Sequence, residues 1–353
     1  MHLLVISRVY PPFGFGGLAK HLTYLYDEIA SRGHSVTILA GKCDGFRLDE
    51  NDSEQPQIKN IEVKRVNYRF RKGFYLTFPL YLRKYLSTFD TSSYDAVITH
   101  TQVPFEFDIP VIAKHHDCIR RSRQFVRRGM PFWMKLGESA LNLFRVPIDR
   151  LALQSADHAI YNSQMVQKDW QELYTSTPQS TVIYNGVDID TFYPRDRHIK
   201  DDFVLFVTGS GDGWKDKLEH SGVMSFASES KYDVYVAGRS DVDHADISAL
   251  SRLDHDTLAE YYSAAIATIH PSIYEPFGNV VLESLACGTP VVTNETVGAH
   301  EILDDDCGVV TSDLVEGVRT ARELSERNCI MKAQEHTWER VADETLNIIR
   351  PMI

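Results

Sequence analysis

Apolar positions along the chain fall into two alternating rhythms. Short unbroken apolar runs, four to six residues long, are separated by stretches whose apolar residues recur every three or four positions. The first run is His2–Ser7, followed by a Pro/Gly loop and then LAKHLTYLYDEIASRGH, in which Leu18, Leu22, Tyr24, Leu25 and Ile29 share one helical face. Gly33 stops that helix and Ser35–Ala40 is the next strand. Further strands are predicted at Glu62–Val66, Ala96–Thr99, Val111–Lys114, His158–Tyr161 and Thr181–Tyr184. The second half restarts the pattern at Phe203–Val207, Val234–Ala237, Ile266–His270, Pro290–Thr293 and Gly308–Val310. Strand–helix alternation of this kind predicts an α/β protein built on parallel sheets. The charged, Pro194-bearing stretch Asp188–Asp202 interrupts the rhythm and marks a linker. Two Rossmann-like domains are therefore expected, residues 1–195 and 196–335, with a last helix in 336–353 that carries Trp338, Val341, Leu346 and Ile349 at helical spacing. Such a pair predicts a ligand cleft at the carboxyl ends of both sheets.

Composition narrows the class. The 353 residues include no run of the ~18 apolar residues that a membrane span needs. The opening MHLLVISRVYPP, cut by Arg8 and two prolines, reads as a first strand and not as a signal peptide. Five scattered cysteines, Cys43, Cys118, Cys287, Cys307 and Cys329, show no CxxC spacing, which points away from a disulfide framework or zinc site and toward a reducing cytoplasm. A net charge of −12 argues against nucleic acid as a partner. The charge is uneven: residues 1–195 hold 24 Lys and Arg against 20 Asp and Glu, whereas residues 196–353 hold 13 against 29.

The segment richest in chemistry is IHPSIYEPFGNVVLESLACGTPVV (Ile269–Val292). It reads as a strand end, a loop with Glu275, Pro276 in the first turn of a helix, and a helix running to about Ala286 with Glu283 inside it. Gly278 permits close approach to the backbone, and the N–H groups near Phe277, Gly278, Asn279 and Val280 at a helix N-terminus suit a diphosphate. A carboxylate on the same helix can accept from two sugar hydroxyls. Gly14, Gly16 and Gly17 form a second strand-to-helix turn, and His115, His116 and Asp117 close the strand Val111–Lys114. FVTGSGDGWKDKLE (Phe206–Glu219) fails as a dinucleotide-binding motif, because Trp214 stands where a glycine is needed. IRRSRQFVRRGMPFWMK (Ile119–Lys135) and YRFRKGF (Tyr68–Phe74) combine basic and aromatic residues; each reads either as a solvated face or as a dock for anionic lipid or an anionic acceptor. DVDHAD (Asp241–Asp246) contains D-x-D but reads as a surface loop, so no metal ligand is assigned.

Four of these segments, in order, resemble the retaining glycosyltransferases of family 4, with the GT-B fold. EPFGNVVLESLACGTPVV resembles that family's E-x7-E signature; Pro11–Ala40 its glycine loop, helix and GH-V strand; VIYNGVDIDTFYP its end-of-domain segment; and Leu253–Ser272 the stretch ahead of the first signature glutamate. The resemblance implies transfer of a sugar from a nucleoside-diphosphate sugar, UDP being favoured over GDP, to an acceptor hydroxyl with retained configuration and without a metal or other cofactor. It implies catalytic roles for His116 near the anomeric carbon, Glu275 on the sugar hydroxyls and Lys215 on the leaving diphosphate. Donor binding falls to Gly16, Gly17, Ser210, Arg239, Leu253, Pro276, Phe277, Gly278, Asn279, Val280 and, on the ribose, Glu283. Ser210 stands where the family has an arginine, a departure for which Arg239 or Lys217 would have to compensate. It further implies that the last helix returns to the N-terminal domain. The acceptor, whether glycan, glycolipid or small molecule, is open, and so is peripheral contact with the inner face of a membrane. Two alternatives stand beside this reading: a non-catalytic nucleotide-sugar-binding subunit, motivated by Ser210, and a nucleotide-sugar epimerase or hydrolase of the same fold.

Overall fold

The computed structural model describes residues 1–14, 16–43, 59–69, 73–127, 131–196, 202–208, 222–238 and 244–353. The chain divides into two compact units, Met1–Ile183 with Val341–Ile353, and Tyr184–Arg340. The division thus falls ahead of the linker read from Asp188–Asp202, and the chain's last residues belong to the first unit.

In the first unit the strands are β1 (His2–Ser7), β2 (Ser35–Cys43), β3 (Ile61–Tyr68), β4 (Ala96–Thr99), β5 (Val111–His115), β6 (His158–Tyr161) and β7 (Gln179–Val182). They pair in the order β3-β2-β1-β4-β5-β6-β7, every pairing parallel. Leu3, Leu4, Val5 and Ile6 are all fully buried, because helices cover both faces of the sheet and leave none of these four a solvent side. Helix α1 (Gly17–Ser31) starts after Gly16, and α2 (Phe74–Leu86) lays Phe78 and Leu82 on the face that carries Leu4, Ile6, Leu39 and Val97. Helices α3 (Ile119–Val126), α4 (Phe132–Gln154) and α5 (Gln164–Leu173) follow on the β5–β6 side of the sequence.

The second unit has β8 (Phe203–Val207), β9 (Asp233–Ala237), β10 (Ile247–Ala249), β11 (Ala267–Ile269), β12 (Val291–Thr293) and β13 (Gly308–Val310), in the order β10-β9-β8-β11-β12-β13 and again all parallel. Along β8 the side chains alternate between two cores. Phe203 and Leu205 pack with α7 (His255–Ala264), α8 (Asn279–Ala286) and α10 (Glu326–Gln334); Val204 and Phe206 pack with α6 (Val223–Glu229) and α9 (Leu314–Ala321). Helix α11 (Trp338–Ile349) leaves this unit at Arg340 and buries Val341, Leu346 and Ile349 as part of the first. The expected α/β architecture of two Rossmann-like sheets is therefore present, and among the described residues the strand that the periodicity missed is β10.

One detail of α1 departs from the sequence expectations. Helix α1 buries His21 and Tyr26 with Leu22, Leu25 and Ile29, whereas Leu18 and Tyr24 remain partly exposed. All five cysteines are free and buried, as small apolar core residues.

Lys114, in the middle of the first sheet, is 2% exposed, and burial drives its ammonium pKa down to about 7, with Glu344 of α11 opposing the shift. A lysine whose folded pKa lies below its unfolded value releases its proton on folding. Between pH 7 and the unfolded lysine range near ~10, the unfolded chain binds the extra proton, so this residue makes stability rise with pH, by at most about 1.4 kcal/mol per pH unit. Lys114→Met is expected to raise the midpoint of chemical unfolding at pH 7 and to flatten its rise toward pH 9. An unchanged slope in the variant would place the linkage on another group.

Candidate functional site

In each sheet the strand order reverses once, between β1 and β4 and between β8 and β11. Connections leave to opposite sides at such a point, and the carboxyl ends of the two strands are left open for ligand. Residues predicted from sequence gather at both reversals.

In the second unit, β11 ends at Ile269, His270 follows, and the chain turns through Glu275 into α8. The loop is anchored on both sides of the glutamate: Glu275 N–H donates to the Thr296 carbonyl at 2.9 Å, and the Glu275 carbonyl accepts from Gly298 N–H at 2.8 Å. Phe277 is buried, and its carbonyl accepts from Ala299 N–H at 2.8 Å. Gly278 is the helix cap, at φ 96° and ψ 76°, where a Cβ would stand 3.1 Å from both His270 Nε2 and Val297 Cγ1. Glycine is required there on two counts, backbone conformation and space. No side chain caps the helix, and the first-turn N–H groups of Asn279 and Val280 are those that a helix start leaves without a helical carbonyl. The Asn279 side chain accepts from Asn185 Nδ2 at 2.9 Å. Glu283 is buried on α8 and accepts from the Tyr262 hydroxyl at 3.0 Å. Leu253 lies just before the Asp254 cap of α7 and packs on the same core as Phe277 and Leu282. The structure thus brings Glu275, Pro276, Phe277, Gly278, Asn279, Val280 and Glu283 into one strand–loop–helix. One correction is needed: Pro276 is not in the first helical turn but in the loop, because the helix waits for the left-handed turn at Gly278. Ser210, Lys215, Lys217 and Arg239 lie outside the described residues.

In the first unit, Gly16 caps α1 at φ 92° and ψ −170°, a backbone state open to glycine, and Gly17 is the first helical residue. His115 and His116 have different surroundings. His115 is the last residue of β5 and is buried between Tyr161 and Trp170, with ring centroids at 5.3 and 4.2 Å; burial lowers its pKa to about 3. His116 turns the other way and joins two histidines that sequence reasoning did not single out, His21 of α1 and His100 at the end of β4. The ligating nitrogens of the three lie within 4.8 Å of one another, a grouping whose atom types could hold a divalent ion. Two of those nitrogens, however, are already joined in a hydrogen bond, His100 Nδ1 to His116 Nε2 at 2.8 Å.

That bond, read with its neighbour, assigns the tautomers. Burial, reinforced by the other imidazole and Lys114, lowers the pKa of His100 well below its ordinary value; burial, Lys114 and His115 do the same to His116, so both rings are neutral at pH 7. The Tyr26 hydroxyl is buried, and its one hydrogen-bond partner among the described residues is His100 Nε2, at 2.6 Å. A buried hydroxyl donates where it can. Tyr26 therefore donates to His100 Nε2, His100 Nδ1–H donates to His116 Nε2, and His116 carries its proton on Nδ1. Asn162 Nδ2 holds the His116 carbonyl at 2.9 Å, which fixes the backbone behind the ring. The cue that would have found His100 is its place: β4 and β5 are adjacent, and each is followed or ended by histidine.

The arginines of the basic run are largely committed within the unit. Arg120 donates to the Leu173 carbonyl at 3.0 Å, Arg121 pairs with Asp169 at 2.6 Å and with Glu172, and Arg123 lies 3.8 Å from Glu138. Arg128 lies outside the described residues, as do three residues of the second cluster, Phe70, Arg71 and Lys72.

Comparison with known proteins adds to this geometry. The family model described as Glycosyltransferase Family 4 matches residues 15–191, and the model described as Glycosyl transferases group 1 matches residues 244–325. An uncharacterised glycosyltransferase of Methanocaldococcus jannaschii is 23% identical, over 99% of this chain and 98% of its own. Among solved structures, sucrose-phosphate synthase from Thermosynechococcus elongatus superposes with a TM-score of 0.75 at 20% identity, covering 99% of this chain and 98% of that one. HepE of Anabaena, in complex with UDP-glucose, gives 0.70 at 18% identity, covering 99% and 100%. The fold is GT-B.

The tautomer assignment is open to measurement. In nitrogen-15 spectra of the histidine side chains, His116 is expected as the Nδ1–H form. Tyr26→Phe should mix the tautomers and lower stability by about 1–3 kcal/mol, the cost of a buried nitrogen left without its donor. An Nε2–H form of His116 in the unaltered chain would reverse the direction of the whole chain of bonds.

Proposed function

This chain belongs to Glycosyltransferase Family 4 and is a glycosyltransferase; from that premise we propose that it transfers a sugar from a nucleoside-diphosphate sugar, UDP-linked by preference, to an acceptor hydroxyl with retention of configuration and without a metal. The observation that carries this reading is the Glu275–Glu283 strand–loop–helix. No side chain caps the start of α8, so phosphate oxygens can reach the N–H groups of Asn279 and Val280, where the helix dipole favours negative charge. Glu283, oriented by the Tyr262 hydroxyl, accepts from the two ribose hydroxyls. Glu275, on a loop pinned by Thr296 and Gly298, orients the hydroxyls of the sugar.

Transfer with retention asks for charge relief at the departing diphosphate more than for a strong base. The N-terminus of α8 and Lys215 supply it, and Ser210, Arg239 and Leu253 complete the donor contacts in the second unit. In the first, Gly16 and Gly17 present backbone to the ligands. His116, neutral and with Nε2 already used by His100, offers Nδ1–H to a sugar hydroxyl beside the anomeric carbon. UDP-glucose in the solved complex of HepE supports the choice of donor class. The family matches do not favour a non-catalytic subunit, an epimerase or a hydrolase.

Incubation with UDP- and GDP-hexoses and a panel of acceptors should release the nucleoside diphosphate together with an axial-for-axial glycoside product. Release of free sugar alone, or inversion, would overturn the reading. Two variants divide the roles. Glu283→Gln, which keeps an acceptor for Tyr262, is expected to weaken UDP binding by about 2 kcal/mol in calorimetry. His116→Ala should lower kcat far more than donor affinity; an equal fall in both would reduce it to a binding residue.

A further inference from the structure

Helix α4 is amphipathic the wrong way round. Its 23 residues span about 34 Å. Phe132, Trp133, Leu136, Leu143, Phe144 and Leu151 fall within about 120° of one another around the helix, and all are exposed, with Phe132 at 74%, Trp133 at 72% and Leu143 at 73%. Glu138, Asn142, Arg145 and Asp149 sit on the other side, while the exposed Arg150 lies on the apolar stripe itself. Glu138 is bonded by Arg145 at 2.8 Å, and the Arg145 guanidinium lies 5.7 Å from the Tyr75 ring of α2. Asp149 is buried and hydrogen-bonded by Tyr174, and burial raises its carboxyl pKa to about 7. Helix α2, which packs against α4, adds Leu76, Leu80 and Tyr81 to the exposed apolar surface. Exposed apolar side chains occur singly on any protein, but a continuous stripe along a whole helix marks a surface that is covered in use.

Charge identifies the cover. From residue 69 to residue 89, through α2, the chain has five Lys or Arg and no acid; from residue 118 to residue 137, through α3 and into α4, it has six and no acid. Exposed Arg83 and Lys84 close α2, Arg123 is 45% exposed on α3, and Arg150 is exposed near the end of α4. The acids of α4 itself, Glu138 and Asp149, are turned inward. An apolar stripe edged by cations, with interfacial aromatics at one end, suits a sheet of anionic headgroups over hydrocarbon. A second copy of the chain would set the same cations against themselves across a two-fold axis.

We infer that this chain docks on an anionic lipid bilayer through the outward apolar stripe of α4, which lies in the plane of the interface with its basic flank on the headgroups. No described helix is long and apolar enough to cross a membrane; attachment through an interfacial face of this kind is reversible. The arginines of the α3 run act mainly inside the unit, and the apolar stripe carries the binding.

Co-sedimentation of the full chain with vesicles tests this without reference to transfer activity. The chain should bind vesicles of mixed phosphatidylglycerol and phosphatidylcholine at low salt, bind less as salt rises, and bind pure phosphatidylcholine weakly. Trp133→Ser together with Phe132→Ser, and separately Leu143→Glu, should each lower the partition coefficient by about tenfold or more. Because those side chains are exposed, the melting temperature should stay where it was, and that check separates lost docking from lost folding. Absence of binding to anionic vesicles overturns the proposal, as does binding that both variants leave intact. A dimer in size exclusion that Leu143→Glu dissociates, without vesicle binding by the unaltered chain, would make a second copy the occupant instead.

Discussion

Parallel pairing is the constraint on which everything else in this molecule rests. A parallel strand cannot return by a tight turn, so each connection crosses a face of the sheet and every strand delivers its carboxyl end to the same edge. In both sheets the order reverses at one place, and there the loops part. Gly16, His100 and His116 follow β1, β4 and β5; Glu275, Gly278 and Glu283 follow β11. No local propensity gathers these residues, which stand far apart in sequence. The sheet order does.

The same constraint brings polar groups to places where water is scarce, and the two units meet that demand differently. The first unit uses neutral groups in series: a tyrosine hydroxyl, then one imidazole, then another, each satisfied by the next. The second keeps a carboxylate, Glu283, and gives it a tyrosine hydroxyl from a neighbouring helix. A chain of neutral groups passes orientation without charge, so one hydroxyl on α1 sets which nitrogen of His116 carries its proton. Helix α1 is consequently turned so that His21 and Tyr26 face inward with the leucines. The hydrogen bond compensates for burying the hydroxyl, and the aromatic ring fills core volume as a leucine would.

How much of this was legible in the chain follows from where the information lies. Strands buried on both faces are short apolar runs wherever they occur, and Ala96–Thr99, His158–Tyr161, Phe203–Val207 and Gly308–Val310 stand where the runs placed them. Strand β10 escaped because it is three residues at a sheet edge, Ile247–Ala249, with a single buried side chain. The Glu275–Glu283 segment was legible because all its parts are contiguous. The Tyr26–His100–His116 chain was not, because its members are separated by 74 and 16 positions and meet only when β4 pairs with β5 beneath α1. Pro276 was misplaced for a local reason: a proline signals a helix start, but a glycine in the left-handed region two residues later moves the start beyond it.

Helix α4 shows a further limit of periodicity, and the reason is physical. A hydrophobic stripe tells that a helix has two sides; it does not tell which side meets the protein. Where α4 is attached can be read from its buried residues, Asp149, Ala152 and Leu153, all near its carboxyl end. From Phe132 to Ile148 none of its residues is fully buried; Glu138 and Arg145 make polar contacts there, and Val146 packs, partly buried, on the core that holds Leu153 and Trp170. Polar contacts of that kind fix direction but contribute little net free energy beside the burial of a stripe of aromatic and aliphatic side chains. In water, therefore, the amino-terminal part of α4 leaves its largest source of stabilisation unused. A helix arranged in this way is held in place before its apolar face is covered, and gains most of its burial from a surface outside the fold.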